Sequence, residues 1–273
     1  MRNRIQQDKN RLGPMESRFF ALAQMKRWTI VRPGMVAPAL GLTMDQERDL
    51  LRRLNRAGWI VRLQRGIYLV PASLPVGGCW NPPESVVLPA LMRERRAQYQ
   101  ICGPGAFNRY GFDEQVPNRL FIYNSRISGS RQIGSTRYTF VRVANTRLGS
   151  VEEARTPDGT TLRYSSKIRS LMDALYDWSV FNTLPRALEW VRQELRKDPA
   201  IAAELARTAI LFGNQATLRR LGYLLQQCQA SARVLCMIRK ALRNSVSLIA
   251  MVPSELRRGA VIKEWGIIDN EKR

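Results

Sequence analysis

The chemistry open to this chain is limited first by a residue it lacks: it contains no histidine. That excludes a Ser-His-Asp or Cys-His nucleophile pair, an imidazole general base and any His-ligated zinc or iron. Carboxylates, Lys, Cys and Tyr remain. Ser165, Ser166 and Lys167 are adjacent, which could place a lysine base beside a hydroxyl nucleophile. A serine just before an apolar helical run is more simply its N-cap, the role expected here. Asp173 and Asp177 lie one helical turn apart and could share a cation. Leu171, Leu175 and Trp178 mark that helix as packed, so pairing of Asp173 with Arg169, four residues earlier, is expected instead. Gly103-Pro104-Gly105 could cradle a phosphate at a helix start; no Lys-Ser/Thr pair follows it, which favours a plain turn. Glu84, Asp113, Glu152 and Glu153 are the acids from which a Mg²⁺-dependent nuclease centre could be assembled. This is the enzymatic alternative. Cys79, Cys102, Cys228 and Cys236 fit neither a metal knuckle nor a disulfide framework, so reduced thiols in a cytoplasm are expected. No catalytic residue, metal or cofactor is expected.

The positive signal is charge. In 273 residues, 44 Lys and Arg face 22 Asp and Glu, a net charge of +22. Of the basic residues 37 are Arg and 7 are Lys, and the guanidinium fork suits phosphates and guanine edges. The excess is +9 over residues 1–75, +6 over 76–150, zero over 151–200 and +7 over 201–273. An anionic polymer is the expected partner. The stretch Met1–Pro14 lacks the apolar core of a signal peptide, and no apolar run approaches a membrane span. A soluble cytoplasmic protein with no membrane partner is expected.

The elements that must position these charges begin with a helical spacing over Met15–Trp28 and a short helix over Gly34–Leu40. Thr43-Met-Asp-Gln46 has the form of a capping box, and its helix should run to Ala57 and stop at Gly58. Trp59–Leu63 and Gly66–Pro71 read as a hairpin around Gln64-Arg65-Gly66. Pro71–Pro83 reads as a linker. A helix over Pro83–Arg96 follows. Strands are expected at Arg119–Tyr123, Thr136–Val143 and Thr160–Tyr164, with Asn124–Ser135 as a polar loop. Helical spacing covers Ser166–Trp178, Leu184–Arg196, Ala200–Phe212, Thr217–Gln227 and Ser231–Arg243. The fold class is therefore α+β. Residues 1–76 form a winged helix-turn-helix, and 77–273 form a second domain, mixed α/β over 77–165 and mainly helical over 166–273.

Three helices and a hairpin in this order place the third helix in a DNA major groove. On a helical wheel Met44, Glu47, Leu50, Leu51, Leu54 and Ala57 share the inward side. Asp45, Arg48, Asp49, Arg52 and Arg56 share the other, with Arg53 at its edge. The expected DNA contacts are Thr43, Gln46 as an adenine reader, Arg48, Arg52, Arg53 and Arg56, with Arg62, Gln64 and Arg65 from the wing. Duplex DNA is favoured over RNA on the basic sheet of the middle region.

Together these residues carry a resemblance. The hairpin sequence GWIVRLQRGIYLVP is similar to that of the AbiEi antitoxins of bacterial abortive-infection operons. So are Cys102-Gly-Pro-Gly-Ala-Phe-Asn-Arg-Tyr-Gly-Phe112, Gln115-Val-Pro117, Ile122-Tyr-Asn124 and Ser128-Gly129. Further on, Tyr164-Ser-Ser-Lys167, Leu171-Met-Asp-Ala-Leu-Tyr-Asp-Trp178 and Leu184-Pro185 continue it to about residue 195. The resemblance implies a winged helix that binds inverted repeats in its own promoter and represses it, with copies binding cooperatively as a pair. It also implies a second domain that counteracts a nucleotidyltransferase toxin, and no cofactor. On position and charge, Arg126, Arg131, Arg137, Arg219 and Arg220 become candidates for additional DNA or toxin contact.

Overall fold

The computed structural model describes residues 12–75, 78–243 and 247–271. The polar N-terminal stretch up to residue 11, and residues 76 and 77 inside the expected linker, lie outside the described residues. The architecture is mixed α and β, and the chain separates into two compact units.

The first unit takes in residues 1–97 together with 130–138 and 155–161. The expected boundary at 76/77 thus precedes the observed one by one helix. In chain order the unit holds α1 (Pro14–Met25), β1 (Ile30–Val31), α2 (Ala37–Leu40), α3 (Met44–Arg56), β2 (Val61–Gln64), β3 (Ile67–Leu69) and α4 (Glu84–Arg95). The strands form an antiparallel sheet in the order β1-β3-β2, with Ile30 opposite Leu69 and Val61 opposite Leu69. Phe19, Phe20, Leu22 and Ala23 of α1 pack with Leu50, Leu51 and Leu54 of α3 and with Trp59, Ile60 and Val70 in one core. Each leucine of α3 is 1% exposed, and burial of one such side chain stabilises by roughly 1.5–3 kcal/mol. Gly58 follows α3 at φ +81, and a Cβ there would sit 2.7 Å from the Cys79 sulfur. Glycine meets both demands. An ion pair from Arg32 to Glu94 secures α4 within this unit, and Ser85 Oγ donates to Asp158 at 2.8 Å.

The second unit takes in residues 98–129, 139–154 and 162–273. Between residues 99 and 165 the strands are β4 (Tyr99–Cys102), β5 (Arg119–Asn124), β6 (Gly129–Ile133), β7 (Thr136–Arg142), β8 (Val151–Arg155) and β9 (Thr161–Ser165), in the sheet order β6-β7-β5-β4-β9-β8. Within these, residues 130–138 and 155 and 161 group with the first unit. β4 runs antiparallel to β5 and parallel to β9. The six-residue α5 (Pro104–Arg109) starts at Gly103, where a Cβ would meet the Phe181 ring at 2.5 Å. That turn is a packing device. The expected polar loop Asn124–Ser135 contains β6, because an edge strand can be as polar as a loop.

From residue 167 the chain is mainly helical: α6 (Lys167–Tyr176), α7 (Trp178–Phe181), α8 (Arg186–Lys197), α9 (Ile201–Phe212), α10 (Gln215–Gln227) and α11 (Ala232–Ala241). Ser166 caps α6, its Oγ accepting from the Arg169 N–H at 3.2 Å. Every residue of α6 from Ile168 to Leu175 is buried, including Arg169 and Asp173, which pair at 2.9 Å as the spacing predicts. A small sheet closes the chain, β10 (Ile249–Ala250), β12 (Ile267–Asp269) and β11 (Ala260–Ile262) in that order. Trp265 beside it is buried against Gly222 of α10.

Candidate nucleic-acid interface

The α3 helix is built for two faces. Thr43 Oγ1 accepts the Gln46 N–H at 3.2 Å, and Gln46 Oε1 accepts the Thr43 N–H at 2.9 Å, a complete capping box. Thr43 and Gln46 are exposed, yet each has its oxygen committed to the cap. Bidentate reading of adenine by Gln46 requires that bond to open, since both amide atoms are needed.

The inward face carries Leu50, Leu51, Leu54 and a fully buried Glu47. Its carboxylate accepts the Gly34 N–H at 2.6 Å and the Val36 N–H at 2.7 Å, just before α2. A buried carboxylate is costly unless its oxygens are hydrogen-bonded. Here both are, and the bonds fix α2 against α3. A glutamate in register with three core leucines was the signal in the sequence. Met44, expected inside, is 44% exposed at the first turn.

The outward face carries Asp45, Arg48, Asp49, Arg52, Arg53 and Arg56, all exposed. Arg48 pairs with Asp45 at 2.9 Å, Arg52 with Asp49, and Arg53 with Glu16 of α1 at 3.2 Å. Arg56 and Arg65 have no ion pair among the described residues. In the hairpin, the Arg62 N–H donates to Asn55 Oδ1 at 2.8 Å, which fastens β2 to α3. Its guanidinium is exposed, as is that of Arg65. Gln64 is half-buried beside a register shift, and its Oε1 is buried without a partner. It is not the exposed wing-tip group expected.

The additional candidates divide. Arg126 and Arg137 are exposed, and Arg131 is half-buried. Burial, and Arg95 nearby, lower the Arg131 pKa. Arg131 and Arg137 fall in the first unit and Arg126 in the second. Arg219 and Arg220, expected at the surface, are buried. Both are 6% exposed, in α10 among Leu218, Leu221, Leu224 and Leu225. Arg219 Nη1 donates to the Ser247 carbonyl at 2.8 Å, and Arg220 donates to the Ala250 and Met251 carbonyls. Burial pulls the Arg220 pKa down to about 10. These two guanidiniums hold the C-terminal strands and form no surface patch.

Two acids of the enzymatic alternative are engaged by basic residues. Asp113 accepts from Arg186 at 3.1 Å, and Glu152 accepts the Lys167 N–H at 3.2 Å. Among the described residues no three His, Cys, Asp or Glu side chains are grouped to hold a metal ion. No helix of the described residues is long and apolar enough to cross a membrane.

Residues 40–155, from the end of α2 to the end of β8, match a family described as "Family of unknown function (DUF6088)". The fold is similar to that of the RV2827C protein from Mycobacterium tuberculosis, known from a crystal structure. The TM-score is 0.61 at 16% identity, covering 96% of this chain and 93% of that one. At that identity the likeness is one of fold. No curated protein matches the chain.

Proposed function

We propose that α1 to β3 form a winged helix-turn-helix that binds duplex DNA, with α3 as the recognition helix and β2–β3 as the wing. The protein would act as a cytoplasmic repressor of its own promoter and not as an enzyme. The observation that carries this reading is the division of α3: Glu47, Leu50, Leu51 and Leu54 buried, Arg48, Arg52, Arg53 and Arg56 exposed. Exposed ion pairs like those to Asp45 and Asp49 contribute only about 0–1 kcal/mol, so a phosphate or guanine edge can displace the acids at little cost. The acids themselves repel phosphate away from the matching register, which favours selective over general attraction. Six exposed arginines (48, 52, 53, 56, 62 and 65), if each neutralises one phosphate, give a log–log salt slope of roughly −5.

Opposition to a nucleotidyltransferase toxin is supported by the resemblance to the AbiEi antitoxins alone. A mobility-shift titration on the inverted repeat upstream of the gene tests the first reading. Arg52→Ala and Arg65→Ala should each bind more weakly than wild type, and equal binding would refute it. Co-expression with the product of the adjacent gene tests the second, with rescue of growth expected.

A further inference from the structure

On the second unit, Ser125, Arg126, Arg142, Val143, Ala144 and Asn145 line a cleft of about 450 Å³. No carboxylate lines it. The side chains of Arg126 and Arg142 are exposed, and neither has an ion pair among the described residues. Both walls are anchored to one buried residue, Asn124. Its Oδ1 accepts the N–H groups of Arg126 at 3.0 Å and Ile127 at 2.7 Å, and its Nδ2 donates to the Ile127 carbonyl at 2.9 Å. Its own carbonyl accepts the Val143 N–H, next to Arg142, at 2.8 Å. The two arginines are therefore presented from a fixed frame, which lowers the ordering cost of binding. Ser125 Oγ accepts the Gln98 N–H at 3.2 Å, so its hydroxyl proton is left to donate.

The larger cleft of the same unit, about 870 Å³, makes the contrast. It too is lined by arginines, but Arg186 is paired with Asp113, Arg192 with Glu271, and Arg196 with Glu189. Its cations are already neutralised. Those of the smaller cleft are not, and two guanidinium forks beside a hydroxyl and an exposed amide match the oxygens of a phosphate. The geometry points to a phosphate-binding site at Arg126 and Arg142, filled by a free phosphorylated small molecule or by a backbone phosphate of nucleic acid. This stands apart from the winged-helix reading, because it uses no residue of α3 or its hairpin.

The test uses the full chain and the Arg126→Gln/Arg142→Gln double variant, with Arg186→Gln/Arg196→Gln in the larger, neutralised cleft as the charge-matched control. In one arm, calorimetry with inorganic pyrophosphate should show at least tenfold weaker binding for the double variant and no change for the control. In the other, the salt slope of binding to a duplex of arbitrary sequence should shrink by about 1–2 in the double variant if the cleft holds backbone phosphates. A change in the first arm alone assigns the site to free phosphorylated ligands, and a change in the second assigns it to nucleic acid. Double variant and wild type behaving alike in both arms would overturn the proposal.

Discussion

Arginine and aspartate occur one helical turn apart in both α3 and α6, and the two helices use them in opposite ways. In α3 the Arg48 side chain is 61% exposed and its Asp45 partner 88%. In α6 Arg169 and Asp173 are both fully buried. Arg169 spends its remaining donors on the Arg147 carbonyl at 2.7 Å and the Gly149 carbonyl at 3.3 Å. What separates them is the rest of each helix. α3 is apolar on one side only, whereas α6 is buried all round, so its charges have no solvent face to reach. The arginines of α10 repeat the lesson. A charge in a helical pattern marks a surface only where the apolar residues leave it one.

Substitutions can break this contrast, and the largest effect belongs to the buried pair. Arg169→Met leaves Asp173 without its closest cation and should cost about 3–5 kcal/mol, read from the urea midpoint. Arg147 at 3.3 Å from Asp173 offsets part of that loss, so the Arg147→Met/Arg169→Met double variant should be less stable still. Gly222→Ala on α10 would place a Cβ 2.1 Å from the Trp265 ring and should cost about 1–3 kcal/mol by overpacking. Glu47→Gln swaps a carboxylate accepting two backbone N–H groups for an amide with one accepting oxygen. An unsatisfied buried N–H costs about 1–3 kcal/mol, and thermal unfolding should show it.

A smaller effect is set by pH. Burial works to raise the Glu194 pKa, but hydrogen bonds and charge from Lys167 and Lys197 outweigh it and hold the carboxyl below its usual value. A native value lower than the unfolded one contributes stability that is present above the unfolded range and lost as pH falls through the native value. Lys167→Met should therefore lower stability at neutral pH and flatten its decline on the acid side, measured by urea midpoints along a pH series. Smallest of all, Arg56→Ala on the exposed face should change stability by less than about 0.5 kcal/mol. A loss as large as that of Arg169→Met would erase the distinction between the helices.

Much of α3 was legible from sequence because its determinants are local: the Thr43–Gln46 cap, the leucine spacing and Gly58. The hairpin was legible for the same reason. β4 was not, since Tyr99-Gln-Ile-Cys102 is mostly buried and lacks alternation, with Gln100 satisfied by Ser165 at 2.8 Å. β8, Val-Glu-Glu-Ala-Arg, reads as surface because it lies at the sheet edge. Strands of two or three residues near the C-terminus carry too few side chains for a period. The burial of Glu47 was legible from its register with the leucines, whereas Arg219 and Arg220 were misread as surface for a tertiary reason: their partners are backbone carbonyls supplied by distant turns, which no spacing announces.

Reading of duplex DNA by the outward face of α3 is proposed above. Its decisive experiment is fluorescence anisotropy of the full chain on the upstream inverted repeat and on a scrambled duplex of equal length. The measurement compares wild type with the Arg48→Ala/Arg52→Ala/Arg56→Ala variant across a salt series. Wild type should prefer the repeat, the variant should lose the preference, and its salt slope should shrink by about 2–3. A variant that keeps both the preference and the slope would contradict it.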